Sequence, residues 1–312
     1  MLKIKVPAST ANIGAGFDCF GLALKLYNEF EFAKTDSDDL IFLENGKTSS
    51  IALEDNLIYH SMLEAFKKYD FKHRGFYINV VTSEVPLSRG LGSSATCIAA
   101  GIHAANYFMD NIMTEQEIIN LATQIEGHPD NVVPALVGGF NISLIENDNV
   151  VYSKINTPDD LLFAALIPDF KMSTENSRKV LPLEYSKSDC VFNISRASML
   201  ISSLYKRDYS KLRICLQDKI HQPFRGPSIK GMEDIFNKAK DFNALGEFIS
   251  GSGSTLMLII EKNNTEFLNK METFLKTAEA CWKIKLLEPD LSGTVVIDSK
   301  ECEKNSKSVL ED

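Results

Sequence analysis

Pro86-Leu87-Ser88-Arg89-Gly90-Leu91-Gly92-Ser93-Ser94-Ala95 stands between two segments of different period. Before it, residues 75–82 put Phe76, Ile78 and Val80 on one face, the alternation of a strand. After it, residues 94–109 are small and apolar, as in a buried helix. Gly90 and Gly92 let the backbone turn tightly and aim N–H groups at an anion. A helix that starts there adds a positive dipole end of roughly half a charge. The hydroxyls of Ser93 and Ser94 can donate to phosphate or bind Mg²⁺. A plain tight turn would use the same glycines. The second glycine-serine loop, Gly251-Ser252-Gly253-Ser254, favours the phosphate reading.

Two commoner phosphate loops do not fit. A Walker A loop needs a lysine that is absent here. The string Gly90 to Ala95 formally matches GxGxxG/A, with Asp110 twenty residues on from Gly90. Asp110 directly follows the helix, however, where a second strand should have come first.

Composition narrows the rest. The 312 residues carry a formal charge of −9, which argues against nucleic acid as a partner. No apolar run is long enough to span a membrane, and the first residues lack an apolar leader core. Cys19, Cys97, Cys190, Cys215, Cys281 and Cys302 are scattered without a CxxC pair. They read as reduced thiols of a cytoplasmic protein. The histidines show no zinc-ligand spacing.

Lys3 to Val6 and Asn28 to Ala33 alternate as strands, separated by a loop from Pro7 to Gly21. Leu57 to Tyr69 reads as a helix capped by Asp55 or Asn56. A further helix opens at Thr114 with Glu117 in capping-box position. Strands are expected at 138–145, 161–168, 255–260 and 293–297. Helices are expected at 193–205, 210–217 and 268–282, with 228–239 less regular. The tail 299–312 is charged and expected to fray. Mixed strands and helices without a strict βαβ rhythm predict an α+β protein in two parts. The polar stretch 146–160 is the boundary candidate, giving domains of 1–155 and 156–312.

Two more constellations carry chemistry. Glu126-Gly127-His128-Pro129-Asp130-Asn131 ends a helix and gathers two carboxylates, an imidazole and an amide. Glu126 suits Mg²⁺, a hard cation that takes oxygen ligands. Asp130 and Asn131 could orient or deprotonate an attacking hydroxyl. A helix stop followed by a Pro129-Asp130-Asn131 turn would use the same residues, and His128 fits a hydrogen bond within that turn better than a metal. Pro7 to Asp18 is a small-residue loop in which Asn12 and Asp18 could hold the polar end of a substrate, or serve only as turn residues.

Read together, these stretches resemble the GHMP family of small-molecule kinases. The loop Pro7 to Asp18, the phosphate loop Pro86 to Ala95 and the late loop Gly251 to Ser254 follow the family's motifs in order, over essentially the whole chain. The resemblance implies an N-terminal ribosomal-protein-S5-like nucleotide domain and a C-terminal ferredoxin-like α/β-sandwich. Within the family, PASTANIGAGFDCFG, EGHPDNVVPALVGGF and Asp218 to Arg225 are similar to members that take L-homoserine. They differ from its mevalonate and galactose members. Mevalonate kinases place a lysine where Ser9 stands.

The resemblance implies ATP, Mg²⁺ and L-homoserine as ligands, a role in threonine biosynthesis, and admits a homodimer. It puts Pro86, Leu87, Ser88, Arg89, Gly90, Leu91, Gly92, Ser93, Ser94, Ala95, Gly251, Ser252 and Gly253 at ATP. It gives Mg²⁺ to Ser94 and Glu126, and catalysis to Glu126, Asp130 and Asn131. Asn12 and Asp18 would meet the acceptor's polar groups, and Arg178 and Arg225 would clamp its carboxylate. A free amino acid carries one cation and one anion, so it asks for an acid and for guanidinium forks. A mevalonate- or sugar-type kinase is the other reading, and it would not need the paired arginines. A non-catalytic binding module would be favoured by loss of Ser94 or Glu126; both are present.

Overall fold

A computed structural model describes residues 1–52, 55–73 and 75–298. The charged tail and Cys302 lie outside the described residues. The first lobe contains β1 (Leu2–Ala11), β2 (Phe20–Lys34), β3 (Leu40–Glu44), β4 (Lys47–Thr48), α1 (Leu57–Lys68) and β5 (Phe76–Ser83). It continues with α2 (Ser93–Phe108), α3 (Glu115–Glu126), α4 (Pro129–Val137), β6 (Phe140–Glu146) and β7 (Asn149–Ile155).

The second lobe contains β8 (Leu161–Pro168), α5 (Thr174–Lys179), α6 (Lys187–Lys206), α7 (Leu212–Cys215), α8 (Gln222–Arg225) and α9 (Met232–Asp241). β9 (Gly246–Ile249), β10 (Leu256–Glu261), α10 (Phe267–Leu275) and β11 (Trp282–Leu287) complete it. The last strand, β12 (Val295–Asp298), returns to the first lobe and pairs antiparallel with β1.

The first sheet runs β12-β1-β2-β5-β3-β4, with the β6–β7 hairpin attached through β2. Leu2, Ile4 and Val6 alternate with Lys3 and Lys5, and their apolar face packs with Phe30, Phe32 and Ile78 on α2. The second sheet runs β11-β8-β10-β9, every pair antiparallel. Counted within this lobe the order is 4-1-3-2, the ferredoxin-like arrangement of a βαββαβ unit. Period two divides β8 cleanly. Phe163 and Ala165 face α6, α7 and the first lobe, whereas Ala164 and Leu166 face α9 and α10. One apolar core thus joins Leu22, Leu24 and Phe140 to Phe163, Phe248 and Met257 across the lobes.

Four local readings need correction. The segment expected as a loop from Pro7 is still strand to Ala11, after a register shift between Pro7 and Ala8. Ala8, Ser9, Thr10 and Ala11 are too small to show an alternation, yet all are fully buried against β2. β2 likewise begins at Phe20 rather than Asn28. The turn expected at Pro129-Asp130-Asn131 opens α4, with proline at a position that lacks a helical N–H partner. The helix expected to reach Trp282 stops at Leu275, and Trp282 starts β11, buried edge-on against Phe170. Two caps stand as read. Asn56 Oδ1 accepts from Tyr59 N (3.1 Å), and the Thr114–Glu117 capping box is complete. Among the described residues, no helix is long and apolar enough to cross a membrane.

Candidate active site

The phosphate loop sits where β5 gives way to α2. Gly90 and Gly92 have φ of 77° and 70°, the left-handed region that favours glycine. Space demands glycine as strongly. A Cβ on Gly92 would lie 2.0 Å from Ser9 Oγ and 3.2 Å from Asn131 Oδ1. A Cβ on Gly90 would lie 2.1 Å from the Ser250 carbonyl. The late loop therefore packs directly on the early one, and Ser250 Oγ donates to Gly90 O at 2.5 Å. Arg89 lines the space between these loops but is held by backbone carbonyls. Its guanidinium donates to the carbonyls of Leu87, Pro168 and Asp169, tying the loop to the second lobe.

A cavity of about 330 Å³ opens between these loops. Leu87, Ser88, Arg89, Gly90, Gly92, Ser93, Ser94, Gly251 and Ser252 line it, together with Asn12, Asp18, Glu126, Asp130, Asn131, Arg178 and Arg225. Pro86, Leu91, Ala95 and Gly253 do not reach it. Leu91 and Ala95 are fully buried in the two cores, where they anchor the loop and helix from behind.

At one end of the cavity, Phe42, Ile51, Leu57, Ile58, Val80 and Cys97 form an apolar wall. The sequence reading missed this wall, because its residues come from four separate elements and a connecting segment and carry no motif. Asn56 also faces it; its Oδ1 caps α1, whereas its buried Nδ2 has no hydrogen-bond partner among the described residues. Burial pushes the Cys97 thiol up to about 11, so it stays protonated.

At the other end, ionised side chains converge. Arg178 donates to both oxygens of Asp18, at 3.0 and 2.8 Å. Arg225 is only 2% exposed. Its Nε donates to Ser177 O and its Nη1 to Gly251 O, and Phe17 lies under both guanidiniums. Burial, then the charge of Arg178, pulls the Arg225 pKa down. His128 Nδ1 meets Asp130 Oδ1 at 2.5 Å, the turn contact expected for it. Burial opposes a charge on His128, but Asp130 and Glu126 outweigh it and raise its pKa. Asp18, His128 and Asp130 bring ligand-type atoms within 4.8 Å of one another.

Ser94 Oγ donates to Glu126 Oε1 at 2.6 Å, joining the start of α2 to the end of α3. Burial raises the Glu126 pKa, against the Ser94 hydrogen bond and the His128 charge. Two hard oxygen donors beside a phosphate loop form a set that fits Mg²⁺. Asn12 has a more structural post than its sequence suggests. It donates to Gly251 O (2.8 Å) and accepts from Asp18 N (2.9 Å), fastening the acceptor loop to the late loop. Ser9 is not among the site residues expected from the sequence. It is fully buried, and its Oγ donates to Asn131 Oδ1 (2.9 Å), which fixes that amide.

The family described as GHMP kinases N terminal domain matches residues 56–139, and GHMP kinases C terminal matches residues 200–277. A homoserine kinase of Clostridium novyi is 50% identical over 300 residues, 96% of this chain and 100% of that one. A homoserine kinase of Clostridium kluyveri is 50% identical over 296 residues, 95% of this chain and 98% of its own. The crystal structure of homoserine kinase from Cytophaga hutchinsonii superposes with a TM-score of 0.84 at 27% identity, covering 95% of this chain and 97% of that one. The motif order, the two-lobed fold and these similarities agree: the chain belongs to the GHMP kinase family, in its homoserine kinase branch.

Proposed function

We propose that this chain transfers the γ-phosphoryl group of ATP to the side-chain hydroxyl of L-homoserine, giving O-phospho-L-homoserine for threonine biosynthesis in the cytoplasm. One observation carries the reading. A single cavity joins a glycine loop at a helix start to a pocket that holds both guanidiniums and carboxylates. The first end suits polyphosphate, and the second suits a zwitterion.

The adenine base takes the apolar wall, where Asn56 Nδ2 offers a donor to a ring nitrogen. The phosphates lie on the backbone N–H groups of Gly90 to Ser93. Ser94 and Glu126 would hold Mg²⁺, which supplies positive charge to the phosphate oxygens when bound. The acceptor's carboxylate lies between Arg178 and Arg225. Its ammonium faces Asp18 and Asp130. Asn131, held by Ser9, fixes the hydroxyl oxygen in line with the γ-phosphorus.

The oxygen–phosphorus bond to the acceptor forms as the bond to ADP breaks. The hydroxyl proton passes to a phosphoryl oxygen as the new bond forms. Positioning and charge neutralisation carry most of such a reaction.

A coupled assay of ATP consumption tests the reading against L-homoserine, L-serine, mevalonate and galactose. L-homoserine should exceed every other acceptor by at least about a hundredfold in kcat/KM. Comparable turnover of mevalonate or galactose would sink it.

A further inference from the structure

His221 does nothing in the mechanism above, yet it is completely buried between the two pieces of chain that frame the acceptor pocket. It stands immediately before α8, the short helix that carries Arg225. Its Nε2 lies 2.9 Å from the carbonyl of Gly14, in the loop between Asn12 and Asp18. Its Nδ1 lies 3.4 Å from Arg225 Nη1. Phe17, from the same loop, stacks on the imidazole with centroids 5.4 Å apart.

We infer that His221 is a positioning residue for the acceptor: its neutral ring, seated against the acceptor loop, fixes the Arg225 guanidinium through Nδ1. The inference rests on the acceptor reading given above. A carbonyl can only accept, so the hydrogen sits on Nε2. A neutral ring then presents a bare Nδ1, the one kind of atom that matches a guanidinium N–H. A second proton would face both that N–H and the Arg225 charge.

The surroundings keep the ring neutral. Asp218, the carboxylate nearest to the imidazole, accepts from the backbone N of Ile220, His221 and Gln222 and from Asn193 Nδ2. Its charge is spent on those donors, and it lies 3.7 Å from Nε2. Burial holds the histidine below its ordinary value, against the pull of Asp218.

The consequence for Arg225 is geometric. Nε is taken by Ser177 O, and Nη1 is shared between Gly251 O and His221. Nη2 has no hydrogen bond among the described residues and is the nitrogen left for a carboxylate in the cavity. Losing the imidazole acceptor leaves the guanidinium held only by Ser177 O and Gly251 O, so it can tilt, and Nη2 tilts with it because the guanidinium is rigid and planar.

Two substitutions separate this role from simple packing. His221→Gln keeps a donor near Nε2 for Gly14 but removes the acceptor facing Arg225. His221→Asn keeps an acceptor near Nδ1 but gives up Gly14. His221→Gln should raise the KM for L-homoserine about tenfold and leave kcat and the ATP KM within about twofold. The same change in an Arg225→Met background should add less than about twofold.

Equal costs in both backgrounds, or a loss shared equally by L-homoserine and ATP, would overturn the inference. Should His221→Gln fail to fold, His221→Asn decides alone. It should hold the L-homoserine KM within about threefold, and a tenfold rise at normal ATP KM would break the link to Arg225. If the unaltered chain does not phosphorylate L-homoserine, the acceptor reading falls and this inference with it. If it does, the cycle decides the inference separately.

Discussion

The two ends of the cavity are made of different material. The phosphate loop is a backbone site: Gly90 and Gly92 hold left-handed φ, and neighbouring chain fills the space where their Cβ atoms would be. The acceptor end is a side-chain site, in which Asp18, Asp130, His128, Arg178 and Arg225 face one another. A backbone site answers to shape and is blind to pH. A side-chain site tolerates changes of shape better but answers to every change of charge. The nucleotide end should therefore fail abruptly on adding a methyl group, and the acceptor end should fail by degrees.

The largest effect is expected at Gly92. Gly92→Ala forces a methyl to 2.0 Å from Ser9 Oγ at φ 70°. We expect kcat/KM to fall about a thousandfold, the equivalent of roughly 4 kcal/mol, with the KM for ATP affected. Steady-state kinetics and thermal unfolding of the variant check this. A loss below about tenfold would break the contrast between the two ends.

Next come the arginines, which should differ from each other. Arg225 is 2% exposed, whereas the Arg178 side chain is 37% exposed and already satisfied by Asp18. Arg225→Met should raise the L-homoserine KM about a hundredfold and Arg178→Ala about tenfold, with the ATP KM unchanged in both. An ATP KM that moves in parallel would refute their assignment to the acceptor.

The smallest effect is that of pH. Burial raises the Glu126 carboxyl above its ordinary 4.5. Its ionised fraction, and activity with it, should fall on acidification through a midpoint above that value. The sign for stability is opposite. The folded chain favours the protonated form, so this group's stabilisation is lost as pH rises through its folded value. A pH profile of kcat/KM should show the acid limb, and Glu126→Gln should remove it. Metal-free binding of ADP should stay flat over the same range.

What the sequence revealed follows the same division. The glycine loop was legible because only glycine meets its backbone demands, and a helix start must follow. The acceptor residues were reached through resemblance, since single arginines and aspartates have no local signature. The capping box and Asn56 were legible because caps are local chemistry. Ser9 was not, because small buried strand residues carry no period and its partner Asn131 is 122 positions away. Trp282 misled for a related reason. Its apolar neighbours fit a helical face, and only the sheet pairing with Pro168 shows that it begins a strand.

The clasp between the early and late loops has a consequence for how such a chain can be recombined. Gly90 O and Ser250 Oγ meet across the lobes, and Arg89 holds carbonyls at the end of β8. A chimera crossed over between the lobes would inherit each half of this clasp from a different parent. Its two lobes could fold with sound cores and still present a mismatched seam to the nucleotide. Segments 86–95, 168–172 and 249–255 therefore form one inheritance block, although the chain scatters them across both lobes.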